Sequence, residues 1–176
     1  MSMTSKIQHL GSLTTEDSRT GSTTCHDFFI EPNNHMVAFL QQTSGPLRTT
    51  LYNRLTALHA DHMAGYLEQS ANVLDSADNG FPVQSSDYGS DIEDIGQQKV
   101  TNAEGSIEYR FRVNGTTGDI TMGQEITSPM FVSTNMDLTR QQARQMARFL
   151  RQGMDQLVLS EADNAAKATE TQKTND

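Results

Sequence analysis

Four arginines recur every three or four residues near the end of the sequence: Arg140, Arg144, Arg148 and Arg151. On a helix, which turns 100° per residue, these side chains fall within one arc of about 80°. A guanidinium presents a planar fork of donors that pairs with carboxylates or phosphates. The stripe therefore predicts a docking surface for an acidic protein. An apolar seam runs beside it, with Met146, Leu150 and Met154 among its members.

Two other interpretations of this helix stay open. A phosphate backbone would also satisfy the stripe, so a nucleic-acid-binding regulator that uses the same helix is an alternative. The net charge of −9, from 13 Lys and Arg against 22 Asp and Glu, opposes it. The other interpretation involves no partner, because the arginines could face solvent or pair internally with Asp61 and Glu68.

An acidic segment precedes the arginines. Residues 75–98 contain six carboxylates and no Lys or Arg, and glycines and a proline interrupt them. Such a composition predicts a surface loop. The loop could dock on the arginine stripe of a neighbouring copy, which would build a ring or a filament. The candidate docking residues are Asp87, Asp91, Glu93 and Asp94.

Other reactive residue types form no recognisable site. His59 and His62 could share a helix face, but no third metal ligand follows at a suitable spacing. Residues 75–86 begin like an EF-hand loop but lack ligands at its third and twelfth positions. Cys25-His26-Asp27 holds the residue types of a nucleophile relay, yet relays assemble from distant segments. We therefore expect no enzymatic activity, no cofactor and no metal site.

Helices are predicted on both sides of the acidic segment. Residues 35–42 suggest a short helix, and Gly45-Pro46 then breaks the chain. Leucines at steps of three and four predict a long helix over residues 46–74. A capping box of Thr139 and Gln142 begins another helix, expected over 139–159.

The clearest strand pattern lies between these helices. Apolar and charged residues alternate strictly over 107–113, and the Asn114-Gly115 turn signal follows. A β-hairpin or three-stranded meander is therefore expected over about 106–133. The predicted fold is α+β, with two long helices around this meander and no repeat of fixed period.

Both ends are polar. Residues 1–24 hold eleven Ser and Thr, and residues 160–176 contain no Leu, Ile, Val or Phe. We therefore predict an N-terminal tail over 1–24, a single domain over 25–159 and a C-terminal tail over 160–176. No signal peptide or transmembrane segment is recognisable, which suggests synthesis in the cytoplasm.

These features favour a non-enzymatic interaction or assembly protein, such as a subunit of a bacterial or phage-type assembly. Self-association is expected, and the protein could be incorporated into an extracellular or virion assembly. An acidic export-type chaperone that holds its partner in extended form fits the same composition. Nucleic acid is the less favoured partner, and membrane insertion is not expected.

Overall fold

The computed structural model describes residues 7–17, 20–46, 48–103, 105–127 and 131–173. The first half contains β1 (Gln8–Asp17), β2 (Ser22–Glu31), β3 (Met36–Ser44), β4 (Thr49–Leu55) and α1 (Ala57–Asp78). The second half contains β5 (Ile92–Asn102), β6 (Gly105–Asn114), β7 (Asp119–Ile126), β8 (Val132–Leu138) and α2 (Arg140–Lys173). A single 3-10 turn, Pro32–Asn34, joins β2 to β3.

Each half forms a four-stranded antiparallel sheet followed by a helix. We call β1 to β4 sheet 1 and β5 to β8 sheet 2, and in both sheets the strands lie in chain order. The predicted fold of two long helices around a meander is therefore wrong, because strands dominate and form two sheets. The broader prediction of mixed α and β structure is confirmed.

The two halves are also related in sequence, contrary to the expectation of no repeat. Thr139 lies 83 residues after Thr56 (139 − 56), and each of the two precedes a long helix. The same offset pairs buried residues of β2 to β4 and α1 with those of β6 to β8 and α2. Examples are Phe28 with Phe111, Ile30 with Val113, Gln41 with Gln124, Leu55 with Leu138, Met63 with Met146, and Leu67 with Leu150. Strands β1 and β5 correspond instead at an offset of 85 (96 − 11), with Gly11 matching Gly96.

Alternation along the strands gives each sheet an inner and an outer face. In β2 the side chains of Phe28 and Ile30 are buried, whereas Cys25 and Asp27 between the inner positions are partly exposed. The inner faces of both sheets and one side of each helix form a single core. The helices cover only these inner faces, and Tyr88 of the connection between α1 and β5 packs against Arg112 on the outer face of sheet 2.

Each helix packs on the sheet of the other half. Helix α1 contacts β5 and β6, and α2 contacts β1, β2 and β3, while the two helices also pack against each other. Each helix also contacts its own sheet, α1 at β3 and β4 and α2 at β7 and β8, so both helices bridge the two halves. The exchange therefore makes the chain one cooperative unit.

Glycines in the first strand of each half allow this close packing. A β-bulge interrupts β1 before Gly11 and β5 before Gly96. The Phe149 ring of α2 lies against Gly11, and the Tyr66 ring of α1 lies against Gly96. In both places an added Cβ would lie 2.3 Å from a ring carbon, so only glycine fits.

A buried polar network joins the inner faces of the two sheets. The Gln124 amide donates to Gln41 Oε1 at 2.9 Å, and the Asn53 amide donates to the same oxygen at 2.8 Å. Tyr109 donates its hydroxyl hydrogen to Asn53 Oδ1 at 2.7 Å. Because each polar group finds a partner only in this arrangement, the network specifies how the sheets face each other.

The predicted helix over 46–74 is wrong before Ala57 among the described residues, and its residue 47 lies outside them. Thr49–Leu55 forms β4, and α1 begins only after Thr56, whose side chain accepts a hydrogen bond from the His59 N–H. The leucine spacing led to the wrong prediction of a helix because a step of four residues is also two periods of a strand. Leu51 and Leu55 therefore share a face in either structure.

The other local corrections have related causes. Residues 35–42 belong mainly to β3, where apolar residues on both faces imitate a helix. The predicted N-terminal tail contains β1, whose Leu13 and Thr15 side chains are buried. The predicted C-terminal tail continues α2 to Lys173, giving a helix about 51 Å long.

Two predicted features are present. Strands β6 and β7 pair across the Asn114 turn, although β5 and β8 extend this hairpin into a sheet. The capping box of α2 is confirmed, since Thr139 and Gln142 exchange side-chain to backbone hydrogen bonds of 2.9 and 3.2 Å. None of the described helices is long and apolar enough to cross a membrane.

The packing of Tyr66 on Gly96 can be tested with a pair of glycine substitutions. We expect Gly96→Ala to lower the free energy of unfolding by about 1–3 kcal/mol, because the methyl group collides with the ring. Gly65→Ala should raise it by about 0.5–1 kcal/mol, because Gly65 lies inside α1 with no atom near the added methyl. Urea unfolding measures both, and changes of the same sign would contradict this packing.

Candidate functional site

The arginine stripe faces α1 rather than solvent along most of its length. Arg151 pairs with Glu68 through two nitrogens at 2.9 and 2.8 Å, and its third nitrogen lies 2.6 Å from Asp61. Arg144 and Arg140 both contact Asp75. Arg140 also contacts Asp78.

These contacts correspond to the internal pairing that the sequence left open as an alternative. Hydrogen bonds from Arg151 and Arg144 lower the pKa of Glu68 and Asp75 respectively. Of the four arginines, Arg148 is exposed and pairs with no described carboxylate. The stripe thus offers one unengaged guanidinium to a partner.

The apolar seam beside the stripe lies mostly in the core. Met146 and Leu150 are fully buried, and Met154 is half-buried. The predicted docking seam is therefore covered by the protein itself in this conformation. Beyond it, Val158 and Leu159 are exposed on α2 directly after Leu157, which is buried.

The acidic residues proposed to dock on the stripe follow α1 in the chain, in its connection to β5 and in β5 itself. Asp87 is exposed in the connection between α1 and β5, whereas Glu93 and Asp94 belong to β5. Asp91 accepts a hydrogen bond from the Thr116 hydroxyl at 2.9 Å, and Glu93 accepts one from the Gln84 N–H at 3.0 Å. Two of the four carboxylates therefore have local structural roles.

The histidine and cysteine motifs lie in different elements, the histidines in α1 and the cysteine in β2. His59 Nδ1 lies 3.0 Å from the Thr56 hydroxyl at the start of α1, and His62 is exposed. Among the described residues, no group of three or more His, Cys, Asp or Glu could hold a metal ion. Cys25 is half-buried, and its sulfur lies 4.0 Å from Asp27 Oδ1.

His26 points away from these neighbours, into the core. It is fully buried, its Nε2 lies 3.1 Å from the Thr15 hydroxyl, and its Nδ1 makes no hydrogen bond. The equivalent residue of the second half, Tyr109, bonds to Asn53. By the repeat, the matching partner of His26 would be Met136, the equivalent of Asn53, but Met136 has no amide that could bond to His26. Burial lowers the pKa of His26 to about 4, although the Asp27 carboxylate acts in the opposite direction.

The sequence reasoning missed the outer face of sheet 1. This face carries partly exposed apolar side chains on its three consecutive strands β2, β3 and β4. Tyr52 is 43% exposed, and Phe29, Leu40 and Met36 are half-buried. The His9 ring lies 5.6 Å from that of Phe29, and the Arg54 guanidinium lies 5.2 Å from the Tyr52 ring centre.

The outer face of sheet 2 has a different character. With the offset of 83, Phe29 corresponds to Arg112, Leu40 to Gly123 and Tyr52 to Asn135. Arg110 pairs with Glu108 at 2.7 Å, and Arg112 lies over the Tyr88 ring at 4.2 Å. Most inner positions match in chemistry, with His26/Tyr109 and Asn53/Met136 among the exceptions, whereas only the outer face of sheet 1 is apolar. The sequence signal that could have revealed this contrast is the repeat itself.

One charged group on sheet 1 is buried and fully partnered. Glu31 is only 5% exposed, and it accepts hydrogen bonds from Tyr52, from Asn34 at 2.8 Å and from Arg54 at 3.2 Å. Burial alone would raise the pKa of Glu31, but these hydrogen bonds outweigh it and lower that pKa. The cluster holds Tyr52 and Arg54 in place at the edge of the face.

A groove of about 320 Å³ continues from this face. It lies between the β4 edge, the first turn of α1 and the hairpin that joins β5 to β6. The residues around it combine apolar surface with a few polar groups. They are Met36, Tyr52, Arg54, Thr56, His59, Val100, Thr101, Ala103 and Ile107.

The burial of His26 predicts a dependence of stability on pH. The unfolded chain binds a proton at this side chain near pH 6.5, whereas the folded protein binds it only near pH 4. The contribution of His26 to the free energy of unfolding is therefore complete above about pH 6.5. On acidification it falls, by about 2 kcal/mol between pH 7 and pH 5. His26→Gln should flatten urea-derived stability over this range, whereas substitution of the exposed His62 by Gln should not. An unchanged slope in His26→Gln would contradict the assignment.

The chain was also compared with known proteins. No protein-family model matches it, and no curated protein shows significant sequence similarity to it. The functional evidence therefore consists of the sheet surfaces, the groove and the internal ion pairs described above.

Proposed function

We propose that this protein is a non-enzymatic interaction protein whose copies associate through the outer face of sheet 1. The observation that carries the proposal is the apolar character of this face, set against the polar outer face of its repeat. Both sheets share one core pattern, so the core does not require Phe29 or Leu40 on the outside. Apolar side chains kept partly in water favour contact with another surface.

The energetics support a contact of this kind. Complete burial of a Leu, Phe or Met side chain contributes about 1.5–3 kcal/mol, and these side chains are only half-buried in the single chain. Packing one open sheet against another would bury the remainder, as in aligned sheet sandwiches. The arginine stripe is a weaker basis for docking, because three of its four members already pair with α1.

The proposal includes a subunit of a larger bacterial or phage-type assembly and an export-type chaperone. Both are non-enzymatic and both bind polypeptide. Sheet-face association alone favours the assembly subunit, whereas retention of an extended partner would favour the chaperone.

Leu40→Lys tests the proposed face. The new ammonium would lie opposite Asp27 in the strand pairing, so folding should be preserved while the apolar contact is lost. We expect the wild-type protein to self-associate in light-scattering and sedimentation measurements at low and high salt. Leu40→Lys should shift the population to monomer.

Ser133→Lys is the matched control, since it places a lysine opposite Glu125 on the outer face of sheet 2. It should self-associate as the wild type does. A wild-type protein that stays monomeric across the concentration series at both salt concentrations would refute the proposal.

Single-stranded nucleic acid is a second candidate partner for the same face. The specific observation is the set of rings on an open sheet, His9, Phe29 and Tyr52, with Arg54 beside them. Aromatic side chains on such a sheet can stack with unpaired bases. The net charge of −9 weighs against strong binding, because few free cations are available for phosphates.

Phe29→Leu separates the two candidates, because it removes a stacking ring and keeps an apolar side chain. If nucleic acid binds here, affinity for single-stranded DNA in a low-salt filter assay should fall about fivefold or more. Self-association should remain close to that of the wild type. Absence of binding by the wild type at low salt would remove nucleic acid as a candidate.

A further inference from the structure

A cavity of about 230 Å³ lies beside the polar network that joins the inner faces of the two sheets. Gln41 and Gln124 of the network line this cavity, and sheet 1 adds Thr24, Thr43 and Thr49 from three successive strands. Hydroxyl and side-chain amide groups therefore surround a space between two sheets, where a core usually has apolar side chains.

The second half has aliphatic residues at the positions of these threonines. The offset of 83 gives the pairs Thr24 and Ile107, Thr43 and Ile126, and Thr49 and Val132. Thr24 faces Thr43 in the pairing of β2 with β3, and Ile107 faces Ile126 in the pairing of β6 with β7. The fold thus accepts apolar side chains at such positions, and their burial would stabilise it. The hydroxyls of the first half therefore need a reason other than folding.

Polar atoms around the cavity have unused hydrogen-bonding capacity. Gln41 is only 4% exposed, its Oε1 accepts from Asn53 and Gln124, and its Nε2 donates to no described residue. The Thr24 and Thr43 hydroxyls bond to each other at 2.9 Å. Only one of the two donates in that bond, so the other hydroxyl hydrogen is left for a further acceptor. Donors of this kind, in a side chain that is otherwise buried, favour a bound molecule that accepts hydrogen bonds.

The charge and the size of the cavity narrow the class of ligand. None of the described residues around it is Lys, Arg or His, so an anion would find no opposite charge there. Hydroxyls and amides donate as well as accept, and Leu51 and Met136 add apolar surface. An uncharged molecule with many hydroxyl groups matches both, through its polar edges and its C–H faces. The cavity is smaller than the roughly 300 Å³ at which drug-sized pockets begin, which suits one sugar ring or a short polyol.

We infer that this cavity binds a small neutral polyol, of which a monosaccharide is the cyclic form. Gln41 Nε2 donates to one ligand oxygen, the Thr24 and Thr43 hydroxyls bond to others, and Leu51 contacts a C–H face. The site is separate from the proposed contact between copies, because the cavity lies between the inner faces whereas the contact uses an outer face. Failure of either one leaves the other in place.

Ligand-observed NMR tests the inference on the full-length protein. D-glucose, D-ribose, D-sorbitol and glycerol are each added at about 10 mM, a concentration that detects millimolar binding by saturation transfer. At least one compound should show the effect, and D-glucose against D-sorbitol separates the ring from the linear form. In nitrogen-15 spectra the side-chain amide signals of Gln41 should move, whereas those of Gln98, which does not line the cavity, should not. Absence of saturation transfer from all four compounds would overturn the inference.

The double variant Thr24→Val/Thr43→Val removes both hydroxyls and keeps the shape of the side chains. It should weaken binding by about fivefold or more. Its melting temperature should stay equal or rise, because the second half has aliphatic residues at these positions. Unchanged affinity would overturn the site, and a lower melting temperature would show that the hydroxyls serve folding instead.

Thr23→Val is the matched control for this double variant. Thr23 neighbours Thr24 in β2 but belongs to the opposite face of the strand, and it does not line the cavity. The control should bind the compound as the wild type does. An equal loss of affinity in Thr23→Val and in the double variant would contradict binding in this cavity.

D-glucuronate tests the requirement for an uncharged ligand. It differs from D-glucose by a carboxylate and should bind about fivefold or more weakly, since no described cation lines the cavity. Equal or tighter binding of D-glucuronate would overturn the assignment to neutral polyols.

Discussion

The fold depends on an aromatic ring packed against a glycine, used twice. Phe149 of α2 lies on Gly11, and Tyr66 of α1 lies on Gly96, each at the bulge of the other half's first strand. The bulge places an extra residue, Leu10 or Ile95, against the core beside the ring. Because each sheet is completed by the other half's helix, the two sheets must form together. This constraint explains why a strand as polar as β1 is ordered: its register is set by a ring that only glycine can accept.

Contacts between equivalent residues mark the approximate symmetry axis of the repeat. Gln41 bonds to its equivalent Gln124, and Glu68 pairs with its equivalent Arg151. In a symmetric pair of halves, identical residues would meet at such positions. Two glutamines can bond to each other, but two glutamates or two arginines would repel. Opposite charges at positions 68 and 151 therefore make the contact favourable, and they give the arginine stripe a role inside the fold.

Sequence reasoning succeeded where a local signal has one structural meaning. The capping box at Thr139 and the turn at Asn114 are such signals, and both features are present. It failed where a spacing fits two periods, as with Leu51 and Leu55 of β4. It also failed for β1, because pairing and a distant ring stabilise this strand more than its own composition does. For the candidate site, no local pattern separates an outer apolar residue from an inner one. The distinction requires both halves to be aligned.

Comparison of the halves supports function at sheet 1 more strongly than any single residue does. Most inner positions keep matching types, as with Phe28 and Phe111, because both sheets bury the same kind of core. Outer positions face no such demand, and those of sheet 2 have polar or small residues, among them Arg112, which packs against Tyr88. Had sheet 1 faced only water, Phe29 and Leu40 would bring no benefit to the core and would promote nonspecific association. The proposed contact between copies would give both side chains a physical purpose, because it removes them from water.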